Sequence, residues 1–188
     1  MPSVPTHLLV GAALGQGAGE KARSDWRFWF LALFCSALPD ADVVGFRFGI
    51  HYSDLWGHRG LTHSILFGAV VGIAVGMLLG GTWVERVGQG FLSFLITCSH
   101  GMFDAMTNGG LGIAFFSPFD TTRYFFSWRP IQVSPIGAGW FFTTRGMDIL
   151  LNEALVVWVP MLVLGFALYG LRRWREALTW TETKDPYP

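Results

Sequence analysis

The chain has 188 residues, of which 52% are hydrophobic and 16% aromatic, while 14% are charged against about 25% in a soluble domain. Its 13 basic and 13 acidic residues cancel, and mean hydropathy is +0.42. So few charges cannot clothe a water-facing surface, so the composition points to a lipid-facing exterior and excludes both a disordered chain and a nucleic-acid binder built on a basic patch.

The first apolar stretch, Thr6–Leu14, is short, has no basic segment before it and is interrupted by His7. It reads as a re-entrant or half helix rather than a signal peptide. Residues 26–38 (WRFWFLALFCSAL) stop at Pro39-Asp40, so this helix either crosses incompletely or continues in altered form to about Phe48. Residues 61–84 contain no Asp, Glu, Lys or Arg. At about 1.5 Å per residue they are long enough to cross a hydrocarbon core of about 30 Å. Further spans are expected over Val87–Thr107 and Ile149–Leu171, the latter kinked at Pro160. The expected fold is therefore all-α, a polytopic transmembrane bundle of about four spans plus the N-terminal half helix.

Gly68, Gly72, Gly76 and Gly80 recur at steps of four, as close helix packing uses. Residues 109–146, rich in Gly, Pro and aromatics, are expected to form an interfacial loop or cap with Trp128 and Trp140 near the headgroups. Residues 1–171 then make one membrane-embedded domain, and 172–188 a polar tail. Cys35 and Cys98 lie in apolar runs and read as small buried hydrophobes. Arg172, Arg173 and Arg175, with Arg86, Lys21, Arg23 and Arg27 on the same side by alternation, argue for a cytoplasmic C-terminus. Arg47, Arg59, Arg123, Arg129 and Arg145 fall on the opposite, outer side.

The chemistry-bearing residues fall at helix ends. His7 opens the first helix, Asp40 and Asp42 close the second, His58 and His63 open the third, and His100 and Asp104 lie near the end of the fourth. Start, end, start, end in an up-and-down bundle places them all at one membrane face, and Glu153 joins them at the start of the last span. His100 and Asp104, four apart, share a helix face, which Thr97, Thr107 and Asn108 extend. Gly60 is expected to break the backbone and Thr62 to cap the next helix, letting His58 and His63 converge. Ionisable groups at membrane depth are costly and face a cavity or a partner, so the cluster reads as a shared site.

His7, Asp40, Asp42, His58, His63, His100 and Asp104 form an N/O ligand set suited to zinc, with manganese or iron as alternatives, and numerous enough for two ions. Such a centre activates a water for attack on a phosphoester. Asp42, Glu153 and Arg59 are the catalytic candidates: Asp42 as a carboxylate bridging ions, Glu153 as ligand or acid–base, Arg59 as phosphate clamp. For Glu153 a helix–helix hydrogen bond or a pair with Arg145 stands as the structural alternative. Arg123 and Arg129 either anchor the interface or bind an anionic headgroup. Asp54, Asp120 and Asp148 are loop or cap charges.

The ordered series Thr6-His7, PDAD (39–42), HRGLTHS (58–64), HGMFDAMTNGG (100–110), SPF (117–119) and WRPIQVSPIG (128–137) resembles the YdjM-type family of inner-membrane proteins, described as LexA-regulated, membrane-bound metal-dependent hydrolases. The likeness covers roughly residues 6–160. The His-x-x-x-Asp element is more distantly similar to ligand pairs of zinc-dependent phospholipase C. The resemblance implies a membrane-bound metal-dependent hydrolase of the bacterial or archaeal inner membrane; the basic-residue bias puts the site at the outer face, and a site at the bilayer rim, with the phospholipase likeness, leads to the expectation of a lipid or lipid-linked phosphoester as substrate. A metal-stabilised structural or regulatory protein and a metal-ion transporter are the rival readings.

Overall fold

The structure is a computed structural model that describes residues 1–136 and 138–183. Gly137, the last residue of the WRPIQVSPIG motif, and residues 184–188 of the expected tail lie outside it. Among the described residues seven α-helices form: α1 (Val4–Gly15), α2 (Glu20–Arg23), α3 (Trp26–Ala37), α4 (Ile65–Leu79), α5 (Trp83–Ala105), α6 (Thr144–Glu153) and α7 (Val159–Thr183). No strand occurs among the described residues; two isolated bridges, Thr107 with Ile131 and Ile113 with Tyr124, tie the loop after α5.

Capping chemistry sets most boundaries. Asp25 accepts from the Arg27 amide and starts α3, and Thr82 and Glu85 cap α5 reciprocally. After α3, Pro39 removes a backbone donor and the chain continues as a 3-10 helix over Leu38–Phe48, the altered continuation that its sequence allowed. Pro160 acts in the same way on the last helix. The expected kink is a π-helical turn over Ala154–Trp158, joining α6 to α7 just before the ring that cannot donate.

Among the described residues two helical stretches, Trp26–Phe48 and Thr144–Arg175, are long and apolar enough to cross a membrane, fewer than the expected four. The reasons are local. The expected span over 61–84 yields only the 15 residues of α4, about 22 Å, because residues 61–63 form a 3-10 turn and Gly80 and Gly81 turn away at φ 70° and 93°. The 23 residues of α5 suffice in length but carry Glu85, Arg86, Gln89, His100 and Asp104. Nor does the last helix stop at Leu171; it runs through the three arginines to Thr183.

The glycine stripe lets α4 and α5 touch. A Cβ on Gly72 would lie 2.6 Å from the Gly90 carbonyl oxygen, and one on Gly76 2.5 Å from that of Arg86. Gly80 instead takes the positive φ at the turn. Phe28, Ala32 and Cys35 of α3 pack on Val75 and Ile96 to form the main apolar cluster. Elsewhere the distribution is inverted relative to a water-soluble protein: Phe142, Phe119, Phe48 and Phe166 are exposed, while His7, Arg59, His100, Asp104 and Glu153 are buried at 1% exposure or less.

Candidate metal centre

Four segments deliver the polar cluster to one end of the bundle. At the start of α1, Ser3 and His7 share a helix face; Gly11, one turn on, allows contact with α3, since a Cβ there would lie 2.7 Å from that of Ser36. The 3-10 continuation of α3 brings Asp40 and Asp42, and the last turns of α5 bring His100 and Asp104. The fourth segment is the tight 51–63 loop. Gly57 and Gly60 are required there because a Cβ would meet the His51 and Leu55 carbonyl oxygens at 2.2 and 2.3 Å. Between them Arg59 adopts φ 67°, a left-handed conformation rare for a residue with a side chain, and both His58 and Arg59 are buried.

Within the cluster, two kinds of polar atom can be separated. Nε2 of His7, His63 and His100 and both carboxylate oxygens of Asp40 and Asp104 are buried without an aligned hydrogen bond. They nevertheless face one another: His100 Nε2 is 3.2 Å from Asp40 Oδ1, His63 Nε2 3.7 Å from it and 3.6 Å from Asp104 Oδ2, and His7 Nε2 3.6 Å from Asp104 Oδ1. Donors sharing a tetrahedral ion with bonds of about 2.0–2.1 Å stand about 3.3 Å apart, so this set fits a divalent metal. Asp40, His63, His100 and Asp104 offer ligand atoms all within 4.8 Å of one another. His7, stacked on His100 at 3.6 Å between ring centres, stands at the edge of this group.

The second kind is satisfied. Asp42 accepts from His58 Nδ1 at 2.8 Å, from Thr62 Oγ1 at 2.6 Å and from the Arg59 amide at 3.2 Å, and its Oδ2 lies 3.2 Å from His63 Nδ1. The carbonyl of Ser36 accepts from His100 Nδ1 at 2.8 Å. Bonds at Nδ1 place the proton there and leave Nε2 of His63 and His100 as lone pairs, the arrangement by which outer partners orient metal-binding imidazoles. Asp42, His58 and His63 also lie close enough to hold an ion.

Electrostatics agree with a cation site. Asp40, Asp42 and Asp104 set three carboxylates against the one guanidinium of Arg59, whose Nε is 3.1 Å from Asp104 Oδ2, leaving a formal charge of −2. Such charge is costly to bury uncompensated, and a divalent ion restores neutrality. Arg59 is otherwise occupied: Nη1 donates to the Gly109 and Leu111 carbonyls, both at 3.0 Å, and Nη2 to Thr107 Oγ1 at 3.1 Å. Arg123 donates to the carbonyls of His58, Tyr52 and Asp54, pinning the 51–63 loop from outside, while Arg129 stacks on Phe125. Tyr52 packs its ring edge-on to His58, and burial pushes its phenol above the ordinary tyrosine value.

Glu153 ends α6 and faces the start of α1. Its carboxylate accepts from the Ser3 amide at 2.7 Å, from the Ser3 hydroxyl and from Thr6 Oγ1 at 2.5 Å, and Trp158 Nε1 donates to Thr6 Oγ1 at 2.6 Å. Thr62 does not cap α4; Ser64 does, freeing the Thr62 hydroxyl for Asp42. Sequence reasoning missed Ser3, Thr6, Ser36, Tyr52 and Trp158. Only the hydroxyls among apolar neighbours in the first helix offered any signal.

The profile of the family described as YdjM inner membrane protein matches residues 1–176. Inner membrane protein YbcI of Escherichia coli (strain K12) is 34% identical over 185 residues, covering 94% of this chain and 99% of that protein. No solved structure matches.

Proposed function

The chain belongs to the YdjM family of inner membrane proteins, and from that premise we propose that it is a membrane-bound metal-dependent hydrolase acting on a phosphoester of a lipid or lipid-linked molecule. One observation carries the reading: seven buried N and O atoms of His7, Asp40, His63, His100 and Asp104 converge without hydrogen-bond partners. When bound there, a divalent ion, zinc by the character of the donors, supplies Lewis-acid polarisation of a phosphoryl oxygen and a water acidic near neutral pH. The protein's own part is orientation and charge. Thr62 Oγ1, itself bonded to Asp42, and the Ser36 carbonyl hold Nδ1 of His63 and His100, and Arg59 offsets one carboxylate while holding the 107–111 turn against Asp104.

A lipid-borne substrate is favoured because the segments that carry Asp40, Asp42 and His58 also expose aromatics, Phe48 and Trp56. The basic residues of the other end of the bundle, Lys21, Arg23, Arg27, Arg86, Arg172 and Arg173 among them, favour a multi-pass protein with a cytoplasmic C-terminus and this site at the outer face. A second reading has its own support. The side chains of His58, His63, His100, Asp40, Asp42 and Asp104 are 7% exposed or less, which suits a metal that ties four segments together without turnover.

Metal analysis of the purified protein in lipid nanodiscs, followed by phosphate and headgroup release from phospholipid and polyprenyl-phosphate esters, separates the two. Wild-type turnover abolished in Asp104→Asn is the expected result. Full metal with no turnover across the panel would favour the structural tie, and absence of metal would overturn both.

A further inference from the structure

Glu153 is a fully buried carboxylate, yet neither metal-capable group includes it. Its side-chain hydrogen bonds go to Ser3, the N-cap of α1, and to Thr6 in the first turn. Ser3 stands at the N-cap position of α1 but makes no side-chain cap, because its hydroxyl is turned to Glu153. The Ser3 carbonyl in turn accepts from the His7 amide at 3.3 Å and from the Thr6 amide at 2.9 Å. A carboxylate that binds the Ser3 amide and the Ser3 and Thr6 hydroxyls therefore grips the turn that carries His7, and its charge also complements the positive end of the helix. Glu153 sits where α6 passes into the π-turn, and Trp158 at the far side of that turn donates to the same Thr6 hydroxyl, so two residues of the last helix hold one turn of the first.

His7 is the donor that needs such help. The other ligand atoms come from the α3 continuation, the 51–63 loop and α5, whereas His7 alone comes from α1 and lies at the margin of the cluster. We propose that Glu153 is a positioning residue for His7: through Ser3 and Thr6 it docks the start of α1 so that the His7 imidazole completes the metal centre. The proposal rests on the metal-centre reading given above. It assigns Glu153 neither metal ligation nor proton transfer.

The experiment uses the full chain in nanodiscs with Co2+ as probe, reading affinity by titration and ligand number from the visible absorption of the bound ion. His7→Ala is expected to weaken binding and change the spectrum. Glu153→Leu is expected to weaken it by about 10–100-fold, as loss of an outer-shell partner does, with a spectrum shifted toward that of His7→Ala. The double variant Glu153→Leu/His7→Ala should bind no more weakly than His7→Ala alone, since one effect runs through the other. Glu153→Gln, which keeps an acceptor for the Ser3 amide and can donate its NH2 to the Ser3 and Thr6 hydroxyls, should lose less affinity than Glu153→Leu. Ser3→Ala/Thr6→Val, which leaves Glu153 in place, should reproduce the Glu153→Leu spectrum and carries the test if Glu153→Leu does not fold. Wild-type affinity in His7→Ala, or additive losses in the double variant, would overturn the proposal while leaving the metal centre standing. A wild-type protein that binds no Co2+ would overturn the centre and the proposal with it.

Discussion

Asp42→Asn tests whether Asp42 orients the ligands or is one of them. The carboxylate takes bonds from His58 Nδ1, Thr62 Oγ1 and the Arg59 amide and lies 3.2 Å from His63 Nδ1, four donors around two oxygens. An amide offers one acceptor oxygen and turns an NH2 group toward the remaining donors. Replacing a charge-assisted bond by a neutral one gives up about 1 kcal/mol, so the two imidazole contacts together are worth about 2 kcal/mol. That corresponds to roughly 30-fold in metal affinity, within the range of about 10–100-fold seen when outer partners of ligating histidines are removed. Competition for Zn2+ against a chromophoric chelator, with the protein in nanodiscs, measures the change directly. Affinity within twofold of wild type would refute the orienting role. A loss as complete as that in His100→Ala would make Asp42 a ligand, and the division between satisfied and unsatisfied atoms would fail with it.

Other expectations follow from the same contacts. His100→Ala and Asp104→Asn should each purify with far less bound metal than wild type, whereas Cys35→Ser, packed in the apolar cluster of α3, should purify with as much; equal content in all three by elemental analysis would refute the ligand assignment. Stripping the metal with a chelator should lower the thermal transition, because a ligand held only by the folded state at about 1,000 times its Kd adds about 4 kcal/mol; an unchanged midpoint would argue against a bound ion. Gly11→Val places a side chain where a Cβ would lie 2.7 Å from that of Ser36, and should cost about 1–3 kcal/mol and weaken metal binding by parting α1 from α3. Gly88→Ala, with nothing within 4 Å, should leave both unchanged or gain slightly in stability, and thermal unfolding distinguishes the pair.

The convergence at one end was legible because alternating helices return to the same side at every second terminus, and the histidines and aspartates of the first four segments stood at such termini. Boundaries were less legible. Thr62 and Ser64 both suit a helix cap, and the choice turns on Asp42, which lies 20 residues from Thr62 in sequence. The direction of Arg59 depends on a φ of 67°, which no spacing rule supplies for a non-glycine residue. The expected span over 61–84 counted apolar residues correctly but not the turns that shorten α4 at both ends. Where a polar side chain's partner lies 150 positions away, as for Glu153 and Ser3, periodicity carries no information about it.

Burial alone does not distinguish the roles within the cluster, since the side chains of Asp40, Asp42 and Asp104 are all 7% exposed or less and Glu153 is wholly buried. Partners do. Asp42 and Glu153 each meet several donors and Arg59 several acceptors, so each has already exchanged its hydration for protein contacts. Asp40 has made no such exchange at either oxygen, and Asp104 has only the Arg59 guanidinium, whose Nε stands 3.1 Å from Oδ2 without an aligned hydrogen bond. A buried carboxylate left so costs several kcal/mol, which a nearby imidazole at 3.2–3.7 Å without hydrogen-bond alignment does not return. A cation bound between Asp40 and Asp104 would offset that cost at both residues at once, and it would meet Nε2 of His63 and His100, whose Nδ1 atoms are held by Thr62 Oγ1 and the Ser36 carbonyl, with Nε2 of His7 at the edge of the group. On the metal-centre reading, ligation falls to the unsatisfied residues and orientation to the satisfied ones, although both groups are drawn from the same residue types.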